Sequence, residues 1–190
     1  MEQSGSSSGS LDTKLKADVA ESAVVTELLK RGFRVLRPVG DRLPYDMAVD
    51  CDGTLLRIQV KAAWYERSKH LYTVDARRTK TNRRQMVRTL YGKEDFDFAI
   101  LYLVDRHVFY VMPVDVFIGY RSGVSLVETG TRQRPPRSAG YRERWDLLFA
   151  WAARRGNGRA IPVKVGEAFT GDTEPSLDGL AWQGQCTGKV

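Results

Sequence analysis

Residues 46–62 hold two runs of alternating side chains separated by Cys51-Asp52-Gly53. Successive side chains of a β-strand point to opposite faces. An Asp-Gly pair between two such runs is a strong signal for a tight hairpin. In the first run, Asp46 to Asp50, Met47 and Val49 fall on one face and Asp46, Ala48 and Asp50 on the other. In the second, Leu55 to Ala62, the apolar face carries Leu56, Ile58 and Val60, with Arg57, Gln59 and Lys61 opposite. The two apolar rows can pack on one layer, leaving Asp46, Gln59 and Lys61 to share the other face.

The layer on which the hairpin packs is predicted just upstream. Residues 12–31 read as a helix, capped at its start by Asp12 or Thr13 and ended by Gly32 in the left-handed conformation. Ala17, Val24, Val25 and Leu28 recur at the helical period, and Glu21 falls within their arc. A carboxylate on that side needs a metal, a cation or a donor cluster. The plainer alternative is a helix-edge Glu paired with a Lys or Arg.

Further along, Arg34–Arg37 and Leu71–Asp75 read as short strands. Phe96–Val104 is apolar on both faces, which predicts a central strand. His107–Met112 is its partner, and Pro113 ends it ahead of a short helix from Val114 to Tyr120. Residues 121–140 read as loop, and Tyr141–Arg155 as an amphipathic helix carrying Trp145, Leu148, Phe149 and Ala152. Helix, strand, hairpin, strands and helix in this order predict an α/β fold with a central mixed sheet flanked by helices. The 190 residues divide into a Ser/Gly-rich leader (1–11), one domain (12–155) and an extended, partly ordered tail (156–190).

Charge points to the partner. The chain carries 30 Lys and Arg against 23 Asp and Glu, a net charge of +7 that favours a polyanion. The excess is concentrated between Ala76 and Lys93, where Arg77, Arg78, Lys80, Arg83, Arg84, Arg88 and Lys93 occur without one acid. Such a run is commonly just solvated; beside a phosphodiester site it would follow a nucleic-acid backbone. Cys51 and Cys186 are far apart and form no metal or disulfide framework, which fits a reducing compartment. The expected location is therefore cytoplasmic or nucleoid-associated. No apolar run is long enough to span a membrane.

An acid, a neutral oxygen donor and an ammonium converging beside a basic surface suggest metal-dependent hydrolysis of a phosphodiester. Asp46 is the first metal ligand. Gln59 offers its amide oxygen, and Glu21 supplies a second carboxylate from the helix. Lys61 would hold or deprotonate the attacking water, or stabilise developing charge. An all-oxygen set predicts Mg²⁺, with Mn²⁺ as a substitute. Each residue also has a plainer reading: Asp46 as a turn acid, Gln59 as an ordinary strand residue, Lys61 as a surface lysine.

Glu21, Pro44-Tyr45-Asp46 and Gln59-Val60-Lys61, in this order, resemble the core of the PD-(D/E)XK nuclease superfamily. The phrases AESAVVTELLKRGFRVLRPVGDRLPYDMAVD, LLRIQVKAA and FDFAILYLVDRHVFYVMPVDVF are similar to its group I intron-associated homing endonucleases. Archaeal Holliday-junction resolvases share the Glu, Asp and Lys arrangement more distantly. The resemblance implies a restriction-endonuclease-like core and a sequence-specific, Mg²⁺-dependent double-strand DNA endonuclease. Catalysis would fall to Glu21, Asp46, Gln59 and Lys61, and DNA contact to Arg77, Arg78, Lys80, Arg83, Arg84 and Arg88. Gln59 stands where most members carry Asp or Glu, although Gln occurs there in the intron-associated relatives. A junction resolvase and a non-catalytic DNA-binding protein are the alternatives. Cutting both strands needs two sites, which implies a homodimer or homotetramer, with the Trp145 helix and the Phe109 strand as candidate interfaces.

Overall fold

The computed structural model describes residues 12–40, 42–51, 53–81, 86–128 and 134–155. The leader, the tail from Gly156, and the residues Asp52, Arg83 and Arg84 lie outside them.

Helix α1 (Thr13–Lys30) starts where Asp12 accepts a hydrogen bond from the Lys14 N–H at 3.3 Å. It ends in a Schellman motif: Gly32 takes φ +80° and the Phe33 N–H reaches the Leu28 carbonyl at 3.0 Å. The buried stripe is Ala20, Val24 and Leu28. Val24 and Leu28 of the predicted arc are buried and Val25 packs against the core, but Ala17 is exposed and Ala20 takes its place.

The hairpin forms as its alternation predicts. Strands β1 (Arg34–Leu36), β2 (Met47–Cys51) and β3 (Thr54–Glu66) are antiparallel neighbours, with Cys51 opposite Thr54 and Gly53 at φ +89°. Met47, Val49, Leu56, Ile58 and Val60 enter one core cluster with the α1 stripe. At 13 residues, β3 outruns its predicted length and serves three partners. Its first part pairs with β2, Ile58–Ala63 run parallel to β7 (Phe98–Leu103), and Trp64–Glu66 pair with β4 (Leu71–Asp75). Strand β8 (Val108–Pro113) pairs antiparallel with β7. Every residue of β7 is buried, as expected of a central strand. The β3–β7 pair is the one parallel ladder among the described strands, which makes the sheet mixed.

Two elements depart from expectation. The basic run folds into a separate two-stranded ribbon, β5 (Arg77–Thr81) with β6 (Met86–Leu90). The region expected to be loop contains β9 (Gly123–Leu126), which pairs with β4. A short helix α2 (Val114–Ile118) follows β8. The last helix, α3 (Asp146–Arg155), begins five residues later than predicted. Arg142 forms an isolated bridge with Tyr110, and Glu143 adopts φ +52°, which no continuing helix permits.

Helices α1 and α3 cover one face, where Trp145, Leu148 and Ala152 join the first cluster. Trp145 and Phe109 meet edge to face at 5.2 Å and are 4% and 6% exposed. Both side chains sit inside the chain's own core. A second cluster, with Phe96, Tyr91, Phe117 and Tyr110, lies on the opposite face. Among the described residues no helix is long and apolar enough to cross a membrane.

Candidate active site

The site forms where β2 begins and β3 continues past it. The last register pair is Met47 with Ile58, and one residue earlier the Asp46 N–H still donates to the Ile58 carbonyl at 3.0 Å. Beyond that point the Asp46 side chain takes over from the strand. Its Oδ2 accepts from the Val60 N–H at 2.7 Å and from the Gln59 Nε2 at 2.6 Å. These two bonds place Asp46 and Gln59 on the same side. The Gln59 amide is buried, and its nitrogen also donates to the Val60 carbonyl at 3.1 Å.

Lys61, two residues on, faces the same cleft. Its Nζ donates to the Arg77 carbonyl at 3.1 Å and lies 5.2 Å from the centre of the Tyr91 ring. Glu21 reaches the cleft from α1 and accepts from Arg37 Nη2 at 2.6 Å. It therefore meets both sequence readings at once, lining the site and pairing with an arginine. The cleft measures about 490 Å³ and is also walled by Tyr45, Arg78 and Thr79.

The electrostatics follow from burial. Loss of water pushes the Asp46 carboxyl up to about 6, the Glu21 charge adds to the rise, and the Val60 N–H with Lys61 and Arg37 only partly opposes it. Burial likewise lowers the Lys61 ammonium below its ordinary value, while the charges of Asp46 and Asp75 hold it up. A carboxylate short of compensating charge faces an ammonium that gives up its proton more readily than usual. This is a pair with acid–base capacity.

An oxygen-preferring cation fits these donors. Asp46 and Glu21 offer carboxylates, and the Gln59 amide oxygen accepts no hydrogen bond among the described residues. No group of three His, Cys, Asp or Glu side chains that could hold a metal occurs among those residues, so the amide is needed to complete the set.

The residues expected to meet DNA have different surroundings. Arg78 lines the cleft and donates to the Arg42 and Leu43 carbonyls, each at 3.1 Å. Arg77 is paired with Asp75, its Nε and Nη2 at 2.9 and 3.0 Å from the two carboxylate oxygens. Arg88 stands 3.8 Å from the same carboxylate. Lys80 lies on β5. Sequence reasoning passed over Arg37 and Tyr91. Arg37 was legible in principle: β1 pairs Leu36 with Ala48, so the next residue falls beside Met47 and near Asp46. Nothing in the sequence marked Tyr91.

Comparison with known proteins agrees with this geometry. A family model described as PD-(D/E)XK endonuclease matches residues 11–148. The solved structure of a bacterial homing endonuclease, I-Ssp6803I, is 51% identical, with a TM-score of 0.71 over 77% of this chain and 98% of that one. No curated protein matches. With Asp46, Gln59 and Lys61 gathered at one strand junction and a family match across most of the described residues, the chain belongs to the PD-(D/E)XK endonuclease family.

Proposed function

We propose that this protein is a sequence-specific, Mg²⁺-dependent endonuclease of the homing type that cuts double-stranded DNA. The observation that carries the reading is the hydrogen-bonded junction of Asp46 and Gln59 beside Lys61 in one basic-walled cleft. Asp46, Glu21 and the Gln59 amide oxygen would hold the cation, with Mn²⁺ as a substitute. When bound, such an ion lowers the pKa of water and screens the phosphate charge from an incoming nucleophile. Lys61, with its lowered proton affinity, orients that water and takes up or returns its proton. Arg37 and Arg78 line the same cleft and are placed to hold phosphate oxygens, while the β5–β6 ribbon supplies the cations for flanking contacts. One such site cuts one strand, so cutting a duplex requires two copies, as a homodimer or homotetramer. The protein would work where DNA is found, in the cytoplasm or on the nucleoid.

The test is incubation of the full chain with a mixed-sequence DNA library and Mg²⁺, followed by sequencing of the ends. Wild type is expected to leave ends at one recurrent site. Asp46→Asn and Lys61→Met are expected to leave none while still binding DNA. Equal cleavage by both variants would reject the reading. One observation favours a binding-only protein instead: Gln59 donates to Asp46 in place of a third carboxylate. Tight, salt-sensitive binding with no Mg²⁺-stimulated nicking would select that reading.

A further inference from the structure

Asp75 lies outside the acid, amide and lysine set, yet it holds the residue through which Lys61 is tied to the ribbon. It is the last residue of β4, and only Ala76 separates it from β5. Its Oδ1 accepts from the Arg77 N–H at 3.0 Å and from the Arg77 Nε at 2.9 Å, while Oδ2 takes the Arg77 Nη2 at 3.0 Å. Arg88 Nη1, on the facing strand, approaches Oδ2 at 3.8 Å. One half-buried carboxylate therefore grips both strands of the ribbon. It also fixes the Arg77 backbone, and the Arg77 carbonyl is the group on which the Lys61 Nζ hangs at 3.1 Å.

Two consequences follow from ordinary chemistry. A guanidinium held fork to fork by a carboxylate keeps its remaining N–H groups in a fixed direction, and part of its charge is already compensated. An unheld arginine on an exposed ribbon would close on any phosphate. In addition, displacing the Arg77 carbonyl would displace the lysine amine with it, and misplacement on the order of 1 Å can cost about 100-fold in rate.

We propose that Asp75 is a positioning and specificity-determining residue: it holds Arg77 and Arg88 so that the ribbon meets DNA in one orientation, and it fixes the Arg77 carbonyl that positions Lys61. This rests on the reading of the protein as a DNA endonuclease.

The experiment compares wild type, Asp75→Asn and Asp75→Glu as full chains. Binding to a fluorescent mixed-sequence duplex is measured against salt, and single-turnover cleavage is measured on the site that wild type selects from the library. Asp75→Asn frees two cations. Its dependence of log K on log salt is expected to steepen by roughly 1–2, with roughly tenfold tighter mixed-sequence binding at low salt. Its cleavage rate at saturating DNA is expected to fall about 10–100-fold. Asp75→Glu keeps the charge but moves the carboxylate one methylene outward. It is expected to keep the wild-type salt slope and lose rate, which a general loss of folding would not produce. Removing Arg88 from the Asp75→Asn background is expected to return about half of the added slope. A wild-type slope together with a wild-type rate in Asp75→Asn overturns the proposal and leaves the nuclease reading intact. A wild type that binds DNA without cutting it rejects the nuclease reading, and the salt slopes then decide the role of Asp75. A wild type that does not bind DNA rejects both.

Discussion

Asp46→Asn is expected to make the protein more stable and inactive at once. In the folded chain the Asp46 carboxyl is raised from its ordinary 3.8 to about 6, first by burial and then by the Glu21 charge. The sign follows from proton counting. Between pH 3.8 and about 6 the folded state holds a proton that the unfolded state has released, so stability falls as pH rises through that window. Above it the ionised carboxylate costs the fold on the order of 3 kcal/mol. Asn keeps the shape and an oxygen that accepts from Val60 and Gln59, but it has no charge to desolvate. At pH 8 the variant should therefore melt above wild type, by roughly 5–10 °C for a chain of this size. At pH 3.5 the difference should vanish, because Asp46 is protonated in both states. The same carboxylate is the proposed cation ligand, so Mg²⁺ at about 100 times its Kd should stabilise wild type by about 2.7 kcal/mol. It should leave Asp46→Asn unmoved. Proton and cation compete for one group, so the Mg²⁺ effect should fade below about pH 6. Scanning calorimetry at the two pH values, with and without Mg²⁺, measures all of this. A variant that melts at or below wild type at pH 8, or whose advantage persists at pH 3.5, would refute the reasoning.

Two further outcomes are expected. Gln59→Glu places a third carboxylate where an amide nitrogen now sits 2.6 Å from Asp46 Oδ2; melting at pH 8 without Mg²⁺ should drop, and the melting shift on adding Mg²⁺ should grow. Trp145→Ala removes a ring that packs on Phe109, lies under the Arg31 guanidinium at 4.3 Å and donates to Glu143 at 2.9 Å. It should cost about 3–5 kcal/mol in chemical denaturation.

What could be read from the sequence was whatever alternation or capping encodes locally. The β2–β3 hairpin is the clearest case, because Met47, Val49, Leu56, Ile58 and Val60 can bury together in only one register. Gly32 marked the end of α1 for the same local reason. The phase of α1 was less legible. Ala17 and Ala20 both lie near the arc of Val24 and Leu28, and contact with the sheet chose Ala20. Strand β9 was missed because Gly123-Val-Ser-Leu carries only Val124 and Leu126 as apolar signal and exists through its pairing with β4. The ribbon was hidden by its charge: a run of arginines reads as solvated chain whether or not a second strand lies beside it. In the site, Asp46, Gln59 and Lys61 were legible because they alternate on adjacent strands. Tyr91 and Asp75 were not, since their roles depend on which elements the tertiary fold brings to the cleft and the ribbon.

Those unforeseen residues explain how the cleft tolerates the motif it carries. Two carboxylates, Asp46 and Glu21, face a shared space, and the Glu21 charge already raises the cost of ionising Asp46. A third carboxylate at position 59 would sit against Asp46 as like charge on like charge. The amide of Gln59 does the opposite: its N–H donates to Asp46, which no ionised Glu can do. Arg37 neutralises Glu21 from the other side at 2.6 Å. One amide and one guanidinium thus offset part of the negative charge these carboxylates bring to the cleft. A cation held by Asp46 and Glu21 would compete with Arg37 for the Glu21 carboxylate. A glutamine rather than a carboxylate at position 59 would hold a cation less tightly, but its N–H stabilises the ionised form of Asp46, a carboxyl that its surroundings raise to about 6.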